Sequence, residues 1–304
     1  MSKQNIIFMG SGEFSVLVFK EIYNSQKFEI VDLFSLPDKP VGRKQKLTPT
    51  PFRLYASSVG LEVKVASSSS EILSQITSKP DFLIVTDFGI ILSEEVLNIP
   101  LIECLNVHAS LLPKYRGASP IHSAILNLDE VTGVTVMKVV KKMDAGPSYG
   151  YSEVKIEYTD NYHDLLYKLG VVGGALLRDL LLKFTTLKSV EQDSSEVTYC
   201  KKINKLDGLI DFKLNTASTI FAKFRAFYEW PKIFFVHRDR RFQIVDMYIK
   251  DIALEKSMAV IDGELYVRTV EGVVVIREIR PDSKNAMSVA QFLTGNPSFF
   301  EASE

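Results

Sequence analysis

Short, largely apolar runs alternate with helix-like stretches along the first third of the chain. The runs are NIIFMG, FEIVDLFSL, LEVKVA and DFLIVTDFG, at 5–10, 28–36, 61–66 and 81–89. Apolar runs of this length are typical of strands that are buried on both faces of a parallel sheet. The alternation therefore predicts an α/β fold, with a doubly wound, Rossmann-like domain at the N-terminus.

The pattern changes after residue 128. TGVTVMKVV (132–140) and SEVKIEY (152–158) alternate apolar and polar positions, as antiparallel strands with one solvated face do. A long stretch at 162–184 then places apolar residues at i, i+3 and i+4, which predicts an amphipathic helix. We expect this helix to close an N-terminal domain over 1–184.

The last part of the chain follows a different plan. Residues 185–208 are polar and aperiodic, which indicates a linker. Beyond them, short strand-like runs are separated by turn signals such as Asp262-Gly263, a spacing typical of a small β-barrel or sandwich. We expect an OB-like β-barrel over 209–304, with a closing helix at 286–295.

One segment near the N-terminus has no periodic pattern. PDKPVGRKQKLTPTP, at 37–51, is rich in proline, lysine and arginine. Proline fixes φ and lacks a backbone N–H, so it disfavours regular hydrogen-bonded structure. We expect an irregular basic loop here.

Composition narrows the class of protein. The chain has 304 residues, 46% hydrophobic and 24% charged, which is ordinary for a soluble globular protein. The formal net charge of -1 gives no global argument for nucleic-acid binding, although a local basic patch remains open. Cys104 and Cys200 form no metal-ligand or CxxC pattern, which favours a reduced compartment. We expect a cytoplasmic monomer with no metal and no membrane association.

The turn after the first strand is a weak dinucleotide signal. Gly10-Ser11-Gly12 precedes a helix, but position 15 is serine where the fingerprint needs a glycine or alanine. Asp38 is the nearest acid to the end of the second strand, and it sits inside Pro-Asp-Lys-Pro. A tight strand-to-helix turn is the better interpretation, and a NAD-dependent oxidoreductase is disfavoured.

The best candidate chemistry lies where the run IECLNV ends. Alternation along this strand puts Asn106 and His108 on one face, at an edge of the sheet where ligands bind in open α/β folds. An amide can stabilise an oxyanion and an imidazole can move a proton. Asp144, in the turn Lys-Met-Asp-Ala-Gly-Pro, is a candidate carboxylate partner. From these residues alone, a structural role, a ligand-binding protein and an α/β enzyme all stay open.

The combination of motifs resembles the formyltransferase superfamily that uses 10-formyltetrahydrofolate. The matching stretches are Asn-Val-His-Ala-Ser-Leu-Leu-Pro at 106–113, Tyr-Arg-Gly at 115–117, Thr-Gly-Val-Thr at 132–135 and Met-Asp-Ala-Gly at 143–146. The resemblance implies that Asn106, His108 and Asp144 form the catalytic set. It also implies a direct attack of an amine on the formyl carbonyl.

Within that superfamily, the loop at 37–51 resembles the basic loop of the methionyl-tRNA formyltransferase family. In that family the loop enters the acceptor end of the initiator tRNA, so the resemblance implies tRNA contacts by Arg43, Lys44 and Lys46. Three stretches resemble the C-terminal domain of the same family, at Val197–Lys202, Arg225–Pro231 and Ala286–Ser288, which implies that the domain at 209–304 binds tRNA. The expected reaction is formyl transfer from 10-formyltetrahydrofolate to the α-amine of methionyl initiator tRNA, for translation initiation.

The resemblance also implies a folate site along the sheet edge. Its expected residues are Phe88, Gly89, Ile90, Leu92, Ser110, Leu111, Leu112, Pro113, Val140 and Lys141. Most are apolar, which suits both a ligand pocket and plain core. The chain departs from the family pattern in two places, with Asp87-Phe88 where Ala-Tyr is usual and Gly12 where proline is usual.

Two further hypotheses are weaker. A formyltransferase for an amino sugar or glycinamide ribonucleotide would share the Asn-His-Asp set, but the basic loop and the C-terminal β domain argue against it. A folate- or nucleotide-binding protein without transferase activity would not need all three residues.

We predict that Arg43→Ala raises the KM for tRNA and leaves the KM for the folate nearly unchanged. A lost phosphate contact weakens binding for any tRNA sequence and lowers the slope of affinity against salt by about one. Steady-state kinetics at several salt concentrations measure both effects. An unchanged KM for tRNA would remove this loop from tRNA recognition.

Overall fold

The computed structural model describes residues 3–42 and 45–301, which fall into two compact units. The first unit contains the described residues up to Pro120, together with Glu130–Ile156 and Asp164–Lys201. The second contains Ile121–Asp129, Glu157–His163 and the described residues from Lys202 onward. None of the described helices is long and apolar enough to cross a bilayer.

Strands and helices alternate through most of the chain up to Cys200. The strands are β1 Gln4–Gly10, β2 Phe28–Ser35, β3 Lys39–Val41, β4 Lys46–Thr48, β5 Lys64–Val65, β6 Phe82–Thr86, β7 Glu103–His108, β8 Arg116–Gly117, β9 Val131–Lys138, β10 Ser148–Lys155 and β11 Tyr199–Cys200. The helices are α1 Glu13–Ser25, α2 Pro51–Ser58, α3 Ser69–Gln75, α4 Glu94–Leu97, α5 Pro120–Leu126 and α6 Tyr162–Leu182.

Seven of the described strands form one sheet in the order β10-β9-β7-β6-β1-β2-β5. The five strands from β7 to β5 pair in parallel, whereas β9 and β10 pair antiparallel. The centre of β1, residues 6–9, is fully buried, which is why its sequence is apolar without alternation. The chain order reverses between β1 and β6, so the crevice expected for ligands lies at the ends of these two strands.

Helix α6 packs closely on α1 because α6 carries glycines on the contact side. A Cβ atom at Gly170 would lie 2.6 Å from the Cβ of Leu17, and one at Gly174 would lie 2.7 Å from the Cβ of Glu21. The Cβ atoms of Leu17 and Glu21 cannot move away unless the backbone of α1 moves with them. The glycines are therefore required by the distance between the two helices.

The expectation of an irregular loop at 37–51 is wrong. Strands β3 and β4 form a two-stranded antiparallel hairpin, and α2 begins directly after it. The side chain of Thr50 caps α2 by accepting the N–H of Arg53, and Pro51 occupies the first helical position, where a missing N–H costs nothing. Lys46 is exposed at the start of β4, while Arg43 and Lys44 lie outside the described residues.

The segment expected as a linker, 185–208, has more structure than its sequence indicates. It contains three short 3₁₀ turns or parts of them, and β11 pairs in parallel with β8. Residues up to Lys201 group with the first unit, so the division of the structure differs here from the expected boundaries at 184 and 209.

The second unit is built around an antiparallel sheet. Its elements are α7 Ala217–Ala226, β12 Phe234–His237, β13 Arg240–Lys250, β14 Met258–Ile261, β15 Glu264–Arg268, β16 Val273–Pro281, β17 Met287–Ser288 and α8 Val289–Thr294. Six of the described strands pair in the order β12-β13-β16-β15-β14, with β17 on β16. The expected fold class, a Rossmann-like domain followed by a β domain, is confirmed, and the sheet of the second unit is antiparallel. Its closure into an OB-like barrel stays a prediction. The expected helix at 286–295 is shorter, because its first residues form β17.

We predict that Gly170→Ala lowers the free energy of unfolding by about 1 kcal/mol. Alanine gains about 1 kcal/mol of helix propensity over glycine, but overpacking against Leu17 costs about 1–3 kcal/mol. Chemical denaturation measures the difference. Gly295→Ala is the control, because a Cβ there meets no atom within 4 Å. A Gly170→Ala protein as stable as the parent would contradict this account of the helix contact.

Candidate active site

Asn106 and His108 lie on β7, the strand between β6 and β9. Asn106 pairs with Val85 of β6 and Met137 of β9, and His108, the last residue of the strand, pairs with Thr135. The two side chains share one face of the strand, as their spacing predicts. Asn106 is half-buried, and within the described residues its side chain makes no hydrogen bond. Its amide therefore remains available to a bound group.

Two neighbours set the orientation of the His108 ring. The residue is 6% exposed, Nε2 lies 3.0 Å from the carbonyl oxygen of Tyr115, and Nδ1 lies 3.8 Å from Oδ1 of Asp144. A carbonyl only accepts hydrogen bonds, so Nε2 must carry the proton that it shares with Tyr115. A proton on Nδ1 then makes the ring an imidazolium that faces a carboxylate.

Asp144 is held in a conformation that few residues adopt. Its φ of 50° is left-handed, a region in which aspartate is among the better tolerated residues. Its Oδ2 accepts the backbone N–H of Gly117 at 2.8 Å. Gly117 has φ 124°, and a Cβ there would lie 2.4 Å from the carbonyl oxygen of Cys200, so only glycine fits. Asp144 thus has one oxygen fixed by the backbone and the other near His108.

This arrangement suits a reaction that develops negative charge on oxygen and moves one proton. The Asn106 amide is a donor that is in place before a substrate arrives, and a protonated His108 adds a positive charge on the same face of the strand. The carboxylate of Asp144 can orient the imidazole and accept a proton. The structure therefore brings together His108 and Asp144, which are far apart in sequence.

The loop from Ser110 to Pro113 is fixed by a hydroxyl of β9. Thr135 donates from Oγ1 to the carbonyl oxygen of Ser110 at 2.7 Å and accepts the N–H of Leu112 at 3.1 Å. Ser110 itself donates to the carbonyl oxygen of Lys114 at 2.6 Å. Leu111, Leu112 and Pro113 are half-buried. The predicted folate-contacting loop is thus rigidly attached to the strand that precedes Asp144.

The remaining predicted folate residues line a second region. Phe88 and Ile90 pack against the core cluster that contains Leu92, and Gly89 is exposed. Leu92 and Lys141 also line a depression of about 460 Å³ together with Ile91, Ser93, Glu94 and Glu95. Lys141 is exposed with Nζ 3.8 Å from Oε1 of Glu94, and Val140 is half-buried. Their roles in folate binding stay a prediction.

Asp87 lies at the end of β6, beside the point where the strand order reverses. A Cβ atom built on Gly12 would lie 1.8 Å from Oδ2 of Asp87. The Asp87 carboxylate also accepts the backbone N–H of Gly12. The Asp87 side chain is exposed at the surface, yet neighbouring protein atoms surround most of its carboxylate. Desolvation is the largest effect and raises the pKa of Asp87 to about 6, against the opposing effects of the Gly12 N–H and the charge of Lys39. The two departures noted in the sequence, Gly12 and Asp87, are therefore in contact.

Two polar residues near Asp144 were not identified from the sequence as site residues. Arg116 is 5% exposed and donates to Oε1 of Gln192, whose Nε2 donates to the carbonyl oxygens of Asp144 and Gly146. Arg116 lies inside the Tyr-Arg-Gly motif, which was a usable signal. Gln192 lies in a polar stretch that has no periodicity, and no pattern in the sequence marks it.

Comparison with known proteins gives matches along nearly the whole chain. A family model described as formyl transferase matches residues 4–179, and one described as the formyl transferase C-terminal domain matches 202–297. The methionyl-tRNA formyltransferase of a Nitratiruptor species is 36% identical over 297 residues, which cover 95% of this chain and 96% of the relative. That of Campylobacter lari is 36% identical over 301 residues, with 96% of each covered.

Solved structures share the fold at lower identity. An N-formyltransferase from Helicobacter canadensis, in complex with folinic acid and dTDP-3-aminofucose, has a TM-score of 0.66 and 18% identity, and the match covers 90% of this chain and 98% of that one. HypX from Aquifex aeolicus, in complex with tetrahydrofolic acid, has a TM-score of 0.62 and 16% identity, over 99% of this chain and 48% of that one. At these identities the likeness concerns the fold alone.

We predict that the difference in stability between the Asp87→Asn protein and the parent favours the variant more strongly near pH 7.5 than near pH 4. A raised pKa means that the folded state binds more protons than the unfolded state between about pH 4 and pH 6. The parent therefore loses stability as pH rises through this window, and the neutral amide does not. Thermal unfolding of both proteins at the two pH values measures the effect. A difference in Tm that stays constant with pH would contradict the placement of this carboxylate.

Proposed function

This chain belongs to the methionyl-tRNA formyltransferase family, and from that premise we propose that it transfers a formyl group from 10-formyltetrahydrofolate to the α-amine of methionyl initiator tRNA. The observation that carries the proposal is the pairing of His108 with Asp144, beside an Asn106 amide without a partner among the described residues. The product is N-formylmethionyl-tRNA for translation initiation. The proposal includes a cytoplasmic monomer that needs no metal.

Different residues of the site stabilise the developing negative charge and transfer the proton. The donor supplies a formyl carbon bonded to N10, and the acceptor amine attacks that carbon. Asn106 donates a hydrogen bond to the oxygen on which negative charge develops, and the positive charge of a protonated His108 stabilises that oxygen electrostatically. Asp144 accepts the proton that the amine loses and returns a proton to N10, directly or through water. The amine ends as a formamide, and N10 ends with the proton.

Two regions of the first unit suit the folate. The loop from Ser110 to Pro113 offers apolar side chains on a backbone that Thr135 holds in place. The segment from Phe88 to Leu92 offers apolar contacts and an exposed glycine, where a flat ring system can approach the backbone. Small-molecule sites combine apolar walls with a few polar groups in this way.

The basic hairpin between β3 and β4 supplies the tRNA contacts in this proposal. Lys46 is exposed, and Arg43 and Lys44 are the other two expected contacts. Asp38 pairs with Arg53 at the start of α2, which fixes the base of the hairpin. Contacts of this type follow the phosphate backbone and weaken as salt rises.

Formyl transfer from 10-formyltetrahydrofolate, measured with three acceptors, tests the proposal. The acceptors are methionyl initiator tRNA, methionyl elongator tRNA and a dTDP-linked amino sugar, the last chosen because a structural neighbour was solved with one. We expect rapid formylation of the initiator tRNA alone. Turnover of the amino sugar without transfer to tRNA would overturn the substrate assignment and keep the chemistry.

We predict that His108→Ala and Asp144→Ala each lower kcat by about 10²–10⁴-fold, because each removes a group that moves or stabilises charge in the transition state. The same assay under single-turnover conditions measures the loss. His163→Ala and Asp179→Ala are matched controls, because both side chains are about half exposed and belong to other parts of the surface. A His108 or Asp144 variant with near-parental kcat would contradict the proposed roles.

A further inference from the structure

The chain from Val190 to Lys201 is hydrogen-bonded to both segments that carry the site. Val190 and Ser148, which follows the Asp144 turn, exchange two backbone hydrogen bonds of 2.8 Å. Thr198 donates its backbone N–H to the carbonyl oxygen of Pro113 and accepts the N–H of Arg116. Its Oγ1 accepts the N–H of Tyr115 at 2.8 Å. This segment therefore connects the loop that ends at Gly117 to the turn that carries Asp144.

Gln192 lies in the middle of that connection and uses its whole amide. Nε2 donates to the carbonyl oxygen of Asp144 at 2.9 Å and to that of Gly146 at 2.7 Å. Oε1 accepts from Nε of Arg116 at 3.0 Å and from Nη2 of Arg116 at 2.7 Å. A glutamine side chain has two N–H donors and two acceptor positions, so these four bonds satisfy it completely.

The direction of the amide follows from its partners. Arginine only donates and carbonyl oxygens only accept, so the oxygen of Gln192 must face Arg116 and its nitrogen must face the Asp144 turn. Arg116 is buried, and its backbone is held in place because β8 pairs with β11. Gln192 thus transmits the position of a buried arginine to the backbone of Asp144.

The backbone of Asp144 needs such support because of its conformation. The left-handed φ of 50° is sparsely populated and persists only when neighbouring contacts hold it. The bonds from Gln192 fix the carbonyl groups of residues 144 and 146, on both sides of Ala145. They therefore limit where the Asp144 carboxylate can lie relative to His108 and Gly117.

We propose that Gln192 is a positioning residue for Asp144, which holds the turn from Asp144 to Gly146 against the buried Arg116 so that the carboxylate faces His108. The catalytic consequence rests on the proposed function, whereas the positioning itself does not. Methionine at this site keeps the length of the side chain and removes all four bonds. Glutamate keeps the acceptor for Arg116 and removes the two donors to the turn.

The test compares Gln192→Met and Gln192→Glu with Glu191→Met, which introduces the same side chain as Gln192→Met at an exposed neighbouring position. We expect both Gln192 variants to lose about 10–100-fold in kcat, because displacements of about 1 Å in an active site cost this much. The KM values for folate and tRNA should stay within about threefold, since the substrates are still bound by other groups. Glu191→Met should match the parent.

A double-mutant cycle separates positioning from general damage. In an Asp144→Asn background, whose residual rate is measured in single turnovers, Gln192→Met should cost less than about threefold, because the group that it positions is already impaired. An equal loss of rate in both backgrounds would overturn the proposal. So would a loss that appears only in KM, or a Gln192→Glu protein with parental kcat.

Hydrogen exchange of the Gly117 amide tests the positioning without any substrate. This N–H donates to Asp144, so it should exchange at least about tenfold faster in both Gln192 variants than in the parent or in Glu191→Met. Unchanged exchange would overturn the proposal even if the rates fell. Faster exchange in a protein that formylates no tRNA would support the positioning and reject the proposed function instead.

Discussion

The carboxylate of Asp144 has two partners, and the rest of the site depends on how it is shared between them. One oxygen accepts the Gly117 N–H, and the other faces the ring of His108. A hydrogen bond from a fixed backbone group leaves a carboxylate little freedom, so the second oxygen points where the chemistry needs it. The Tyr115 carbonyl holds the opposite side of the ring.

This constraint explains several features that otherwise look unrelated. Gly117 must be glycine because the carbonyl oxygen of Cys200 approaches it, and that approach exists because β11 pairs with β8. Arg116 can be buried because Gln192 accepts two of its hydrogen bonds, whereas an unpaired buried charge would cost several kcal/mol. The segment after α6 therefore completes the first unit.

The sequence predicts the fold well where burial imposes either a continuous apolar run or a helical period. The apolar runs of β1, β2, β6 and β7, and the amphipathic pattern of α6, lie close to the observed elements. The hairpin of β3 and β4 was missed because strands of three residues leave no period to detect. The helix that follows was marked by Thr50 and Pro51, a capping signal that the composition of the loop obscured.

The site could be predicted only in part. Spacing placed Asn106 and His108 on one face, and the turn sequence made Asp144 a candidate partner. The residues alone left a structural role open, and only the resemblance gave the three residues a catalytic role. Gln192 carries no sequence signal, because its partners are a buried arginine and two backbone carbonyls far away in the chain. Hydrogen bonds between a side chain and distant backbone groups produce no periodic pattern in the sequence, so only a structure identifies them.

The protonation of the two His108 nitrogens is the most direct measure of this arrangement. The ¹⁵N chemical shifts of the ring, assigned by comparison with His108→Ala, report each nitrogen separately. The account predicts that Nε2 carries a proton in the folded protein, since it donates to the Tyr115 carbonyl, and that Nδ1 is the nitrogen that faces Asp144. An unprotonated Nε2 in the folded protein would contradict it.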